Sequence, residues 1–439
     1  MAEEEVLKFD AIVVGAGPAG ISAAYVMAKQ GMDVAVIERG EYPGSKNLFG
    51  GILFTTVLNK LIPNFWQEAP VERNIIGRRF SYLTEDSEMS FELKSERYNK
   101  PPFNNSFTVQ RSKFDRWFAE QTEAIFNENS FIFSGFTVTD FLRNGDKIVG
   151  VQTDKEGPMY ADIVICAEGA NSLLAEKSGL KKKPEPNEMV TGVKEVIALP
   201  KEIIEDRFAL SENSGVAFEY FGNAVQGMVG GAFIYTNKES ISVGVSCSIH
   251  DFTEKKINPN DLLDHLKKHP CVKNLIRGGE TIEYSAHMIP EYGYDSLPKL
   301  VTDGLILVGD SAGFVNTSHY HEGSNLAMES GVLAGETAIR AKLKSDFSAG
   351  TLSYYTEKLE ESFIMKDLRH FRKASKFLHH NPQILNNYPN NFVDMAVDYF
   401  TVSDKSKAEI KKEVFRNLTS NSNIIKLLWD MNRARRALT

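Results

Sequence analysis

Residues Phe9 to Glu38, FDAIVVGAGPAGISAAYVMAKQGMDVAVIE, limit what this chain can become more than any other stretch. The apolar run Ala11 to Val14 has the length of a buried strand. The turn GAGPAG follows it, then a helix-like segment, and then a second strand, Asp33 to Ile37, that ends on Glu38. Gly15 makes the tight turn out of the strand, Gly17 lets backbone approach a pyrophosphate, and Gly20 lets helix and strand pack closely. The phosphates of a dinucleotide would sit where the helix opens, over Ala16, Pro18 and Ala19, because free N–H groups and the helix dipole favour negative charge there. Glu38, 18 residues after Gly20, is expected to accept hydrogen bonds from ribose hydroxyls.

Other stretches read as further stations on the same ligand. Arg39-Gly40 leads into the loop YPGSKNLFGG, which carries Lys46, Asn47, Gly50 and Gly51 and can run beneath the isoalloxazine end of a flavin. Arg111 opens the amphipathic segment RSKFDRWFAEQTEAIF. A cation sits poorly at a helix start, and better if it faces a phosphate. The strand ADIVIC ends on Ala167-Glu168-Gly169, and the strand LILV on Gly309-Asp310-Ser311-Ala312-Gly313. Asp310 would take a hydrogen bond from a ribityl chain or hold the pyrophosphate side, and small residues such as Ala312 let backbone N–H groups reach the ligand. A helix beginning near Gly323, with Ser324 and Asn325, would point its N-terminus at a flavin ring and stabilise the anion formed on reduction. Stations near residues 15, 168 and 310 together specify FAD over NAD. The expected fold is α/β: a Rossmann-like, glutathione-reductase-like FAD-binding domain with an inserted β-rich quinone or substrate domain and a C-terminal helical segment.

The chain has 439 residues, 42% hydrophobic and 25% charged, ordinary for a globular protein. A net charge of −8 and the lack of a basic stripe argue against nucleic-acid binding. The start, MAEEEVLKFD, shows no signal-peptide pattern, and no apolar run nears the ~20 residues that span a bilayer. The expectation is a cytoplasmic protein, peripheral on the inner face of the cell membrane. Three cysteines, Cys166, Cys247 and Cys271, fall short of the four ligands of an iron–sulfur cubane, and no metal site is expected.

The expected division gives 1–80, 108–185 and 295–345 to the FAD-binding domain, 81–107 and 186–294 to the β-rich domain, and 346–439 to helical partner or membrane contact. Alternating β-formers over 188–290 support the second, and Gly227, Gly230 and Gly231 fit bends in a sheet. YNKPPFNNSF, 98–107, reads as a buried crossing loop. Ser348 to His380 reads as one long helix, and Pro382 and Pro389 as breaks in the segment that follows. That segment and the tail IIKLLWDMNRARRALT either cover the core or lie in a headgroup layer.

GAGPAG with ERG, PGSKNLFGG, QRSKFDRWFAEQ, AEGANS, GDSAGFVN and NLAMESG resemble the electron-transfer-flavoprotein:quinone oxidoreductase family. APVERNI, FLHHNPQILNNYP and the lack of a C-terminal ferredoxin domain resemble its branch of flavoprotein subunits of Fix-type electron-bifurcating complexes. The resemblance covers nearly the whole chain. It implies FAD held by Gly15, Gly17, Gly20, Glu38, Arg39, Lys46, Gly51, Arg111, Glu168, Gly169, Asp310 and Gly313. It also implies electrons arriving from the alpha and beta subunits of an electron-transfer flavoprotein and leaving to a membrane quinone, menaquinone or ubiquinone, with a ferredoxin-like iron–sulfur subunit alongside. No residue need act as a nucleophile; His287, His319 and His321 are the candidates to relay the two protons that quinone reduction consumes. The alternative readings are a geranylgeranyl-reductase-like flavoenzyme acting on isoprenoid double bonds, a flavin monooxygenase, and an FAD-bearing scaffold that only docks other subunits.

Overall fold

The computed structural model describes residues 7–46, 51–316, 318, 321–421 and 424–438. They form two units. One takes in residues up to Glu72 with Asn105–Met189 and His287–Arg369; the other takes in Arg73–Asn104, Val190–Ala286 and the residues from His370 on.

The first unit is built on a sheet whose order is Val301–Thr302, Leu305–Leu307, Pro158–Cys166, Lys8–Val14, Val34–Glu38 and Phe131–Ser134. The four neighbouring pairs from Leu305–Leu307 across to Phe131–Ser134 are parallel. Parallel strands are covered on both faces, so they read as continuous apolar runs, and Ile12, Val13, Val34, Ile163 and Leu305 are fully buried. From Lys8–Val14 the chain builds outward on one side and then returns to add Pro158–Cys166 on the other. The order therefore reverses between these two strands. In open α/β sheets the ligand lies outside the carboxyl ends at such a reversal. Val14 is in register with both Ile37 and Cys166, and Cys166 with Leu307, so four strands end side by side there.

Helix Pro18–Ala28 lies close against helix Ser324–Lys344. Two glycines permit the approach: a Cβ on Gly331 would strike the Ala19 carbonyl oxygen, and one on Gly335 would stand 2.9 Å from that of Ala23.

The second unit carries a largely antiparallel sheet ordered Glu280–Pro290, Met189–Ala198, Ser240–Ser248, Gly230–Thr236, Ser214–Gly222 and Val71–Leu83, with Glu88–Lys94 beside the last. One face of it packs Val193, Val216, Phe218, Tyr220, Ile234 and Val243 into a core with Ile204, Phe252, Leu262 and Leu266 from the helices. Helices Ala374–His380, Asn387–Phe400, Lys407–Asn421 and Ile424–Leu438 belong to this unit.

Three expectations need correction. Segment 98–107 is not a buried crossing loop: Lys100, Pro101, Pro102 and Asn104 are exposed. Two prolines offer no N–H to a ladder, and Asn104 and Asn105 take left-handed conformations that turn the chain locally. The single helix expected from Ser348 to His380 is three: Ala349–Glu361, Phe363–His370 and Ala374–His380. Ser362 is extended and its hydroxyl bonds back to the Leu359 carbonyl, which stops the first. Pro389 does not break a helix; it lies in the first turn of Asn387–Phe400, where a missing N–H costs nothing.

Candidate functional site

The strand ends described above set out a cradle in the first unit. Gly15 has φ +101°, and a Cβ there would strike the Ala167 carbonyl oxygen; a Cβ on Gly17 would meet nothing within 4 Å. The closed side is filled by the neighbouring strand end, and the open side faces the helix start. Helix Pro18–Ala28 has no side-chain cap, so its first N–H groups are left for a ligand. Glu38 straps this turn: its carboxylate accepts from Ala16 N–H at 3.0 Å and from Gly40 N–H at 2.5 Å. Arg39 and Lys46 are exposed, and Gly51 is half-buried. Asn47, Gly50 and His319 lie outside the described residues.

Ala167 N–H donates to the Val14 carbonyl. Glu168 acts locally. Its two oxygens accept from Leu174 and Ala175 N–H at 3.0 and 2.9 Å, capping the short helix Leu173–Lys177. It is Gly169, at φ +78°, whose carbonyl meets the third station, accepting from the Ser311 hydroxyl at 3.2 Å. Gly309, at φ +60°, donates its N–H to the Ser330 hydroxyl and lies so close to Ala19 that a Cβ would stand 2.9 Å from the alanine methyl. Ala312 is fully buried.

Four charged groups, Arg111, Asp115, Asp310 and Lys181, interact beside this cradle. Arg111 forms two parallel bonds of 2.8 Å to Asp115, which is buried. Burial opposes charge on Arg111, but Asp115 and then Asp310 hold it firmly protonated. Burial also pushes the Asp310 carboxyl up, against the pull of Arg111 and of Lys181. Burial and the Arg111 charge together drop the His287 imidazole to about 4, so it is neutral at physiological pH. His321 is exposed, with φ +49°. Gly323 precedes helix Ser324–Lys344, which has no side-chain cap. Asn325 is turned aside to accept from the Thr56 hydroxyl at 2.9 Å.

Sequence reasoning missed Lys181 and Tyr292. Both are buried in this unit, and neither the Lys181 ammonium nor the Tyr292 hydroxyl has a hydrogen-bond partner among the described residues. It also missed Glu219 in the second unit, buried at 4% exposure and pushed by burial to about 7 against the pull of Arg78. Neither feature has a local signature, because burial is conferred by distant segments.

An open space at Gly17, an uncapped helix start and an orphaned buried cation are what an FAD diphosphate and ribityl chain require. With its strand order, this cradle defines a flavoprotein oxidoreductase whose cofactor is FAD.

Comparison with known proteins agrees. The chain is 41% identical over 434 residues to the protein FixC of Bradyrhizobium diazoefficiens, covering 98% of this chain and 99% of the relative. It is 40% identical over 424 residues to a probable electron transfer flavoprotein-quinone oxidoreductase of Escherichia coli K12, covering 96% and 97%. Residues 374–439 match the ETF-QO/FixC family C-terminal domain, 190–289 the ubiquinone-binding domain of ETF-QO, and 2–81 the Thi4 family. The chain belongs to the ETF-QO/FixC family, and it is an FAD-dependent oxidoreductase of the electron-transfer-flavoprotein:quinone oxidoreductase type. Its fold is shared with a geranylgeranyl bacteriochlorophyll reductase-like protein of Thermoplasma acidophilum, at TM-score 0.72, 20% identity, and 97% and 99% coverage. A flavin-dependent brominase shares it at TM-score 0.63 and 16% identity, with 94% and 100% coverage.

Proposed function

We propose that this chain accepts electrons from a two-subunit electron-transfer flavoprotein and delivers them to a membrane quinone. It would do so as the flavoprotein subunit of a Fix-type electron-bifurcating complex, beside a ferredoxin-like iron–sulfur subunit. The observation that carries this reading is the near full-length likeness to FixC proteins, joined to the match of 190–289 with a ubiquinone-binding domain. Bound FAD supplies the two-electron chemistry; the residues supply the rest.

The sheet of the second unit has a suitable face for a quinone. Phe218 and Tyr220 point into the helix-covered core, so alternation turns Glu219 to the opposite face. Phe233 is opposite Glu219 in register, stacks on Tyr235 at 4.5 Å between centroids, and lies across Gly244. Lys194, in register with Gly244 and 1% exposed, pairs with Glu283 at 3.3 Å. Flat aromatics beside buried charges suit a ring with carbonyl oxygens. Glu219, protonated up to about pH 7, offers it a proton. Neutral His287 would have to accept a proton before passing one on.

Peripheral attachment to the inner membrane face fits two observations. No helix among the described residues is long and apolar enough to cross a membrane. Phe392, Val397, Phe400 and Val402, and also Leu428, Trp429 and Met431, are exposed on the C-terminal segments.

The test is spectroscopic. Reduced electron-transfer flavoprotein should bleach the bound FAD of the purified chain with its co-isolating partners, and a menaquinone or ubiquinone analogue should restore the colour. A flavin that bleaches but is not reoxidised by either quinone, or that reduces a lipid diene instead, overturns the reading.

A further inference from the structure

Lys181 follows the short helix Leu173–Lys177 in the nucleotide-binding unit. Its residue exposure is 7%, and its ammonium donates no hydrogen bond to any described residue. It stands 4.6 Å from the centroid of the Tyr292 ring, a cation–π contact that offsets part of the lost hydration. Tyr292 is itself 8% exposed, and its hydroxyl is equally without a hydrogen-bond partner among the described residues. Its ring lies on Gly313: a Cβ there would be 2.5 Å from Tyr292 Cδ2. The pair therefore stands against the Gly309–Gly313 turn. Lys181 also feels the charges of Glu176, Glu168 and Asp310, the last two from the strand end and the turn that line the cradle.

An ammonium carries three donors and accepts nothing. Buried with all three unused, it is costly, and an apolar side chain of similar length would be cheaper. Burial pulls its proton affinity down, and the neighbouring carboxylates only partly restore it. None of the carboxylates around it takes a hydrogen bond from it: Glu176, which attracts it most, is not bonded to the ammonium, Glu168 caps a helix, and Asp310 also interacts with Arg111. The charge is thus held ready for an anion that comes from outside the chain.

We propose that Lys181 is an FAD-binding residue, donating to an anionic oxygen of the cofactor while the Tyr292 ring holds the ammonium in position. FAD offers anionic oxygen in two places, on the diphosphate and on the pyrimidine edge of the reduced ring. The inference deepens the cofactor assignment and does not depend on the quinone reading.

The experiment compares the full chain with K181M and K181R. Each is stripped of flavin and titrated with FAD and with riboflavin by fluorescence quenching, and the midpoint potential of each holoprotein is measured. If the diphosphate is the partner, K181M binds oxidised FAD at least tenfold more weakly, K181R restores most of it, and riboflavin binding is unaltered. If the ring is the partner, oxidised FAD binds as before. Reduced FAD then binds about tenfold more weakly, which lowers the potential by about 30 mV for a two-electron couple. Unchanged affinity for both redox states overturns the proposal. So does an equal loss of thermal stability in apo and holo K181M, which marks a purely structural lysine. Should K181M not fold, K181Q, which keeps length and a donor but not the charge, carries the same comparison.

Discussion

Glu219 shows what a single buried carboxyl can do to the acid–base behaviour of this protein. Its ordinary value would be 4.5 and in the fold it is about 7. The raised value means the folded state binds the proton more tightly than the unfolded one. The contribution to stability is therefore fully present below pH 4.5 and lost as pH rises through 7. Raising the carboxyl from 4.5 to about 7 corresponds to at most about 3.5 kcal/mol. E219Q, which is neutral at every pH, should lack this loss. Urea denaturation of both proteins from pH 4.5 to 8 should show curves that separate toward neutrality, with E219Q the more stable above pH 7. Parallel curves would mean the carboxyl is solvated. At this scale the sequence was readable only where chemistry is local. Gly15, Gly17 and Gly20 announce themselves by spacing, and Glu38 by ending a strand. Lys181, Tyr292 and Glu219 do not, because what matters about them is the absence or nature of neighbours a hundred residues away. Glu168 was recognisable as an acid at a strand end, but its helix-capping bonds were not.

Elements carried the signal better when their period was unbroken. The strands Lys8–Val14, Pro158–Cys166 and Leu305–Leu307 are short apolar runs with a glycine turn after each, and their common destination followed from that pattern. Helix ends were harder. The stop at Ser362 is made by one hydroxyl and one extended residue inside a stretch whose apolar period runs on regardless. Helix-to-helix distance was invisible as well, although Gly331 and Gly335 were in plain view. Their role predicts that G331A, whose methyl would collide with the Ala19 carbonyl oxygen, forces the two helices apart. Overpacking of this kind costs ~1–3 kcal/mol, and it displaces the first turn of the helix that meets the cofactor. Chemical denaturation should show the loss, and FAD should elute from the variant on gel filtration. G350A is the control. Its Cβ would meet only ordinary contact at 3.7 Å in the first turn of helix Ala349–Glu361, so it should leave stability and flavin content unchanged. Retained FAD and unchanged stability in G331A would show that the helices have slack.

For the molecule as a whole, the C-terminal segments present several exposed apolar side chains among the described residues. Phe400 is 77% exposed and Trp429 58%, each with other exposed apolar residues on the same helix, Phe392 and Val397 beside the first and Leu428 and Met431 beside the second. Single exposed apolar residues need no explanation, whereas several on neighbouring segments mark contact with something. Burying one such aromatic in a lipid headgroup layer is worth ~1.5–3 kcal/mol. The double variant F400S/W429S should therefore bind anionic vesicles at least tenfold more weakly in a sedimentation assay, with flavin content unchanged. Equal sedimentation would assign the patch to a protein partner. The amphipathic character of this region was visible in its composition, but which residues face outward was decided by tertiary packing alone.

The nucleotide-binding unit is assembled from three separate lengths of chain, and helix Ser324–Lys344 must be present before the GAGPAG turn has its full support. A ribosome emits residues in order, at ~5–20 each second. The opening strands therefore wait half a minute or so, with their apolar faces uncovered, for a helix more than three hundred positions later. Flavin loading must then be a late event in biosynthesis, and an interrupted translation product should be colourless and a ready client for chaperones.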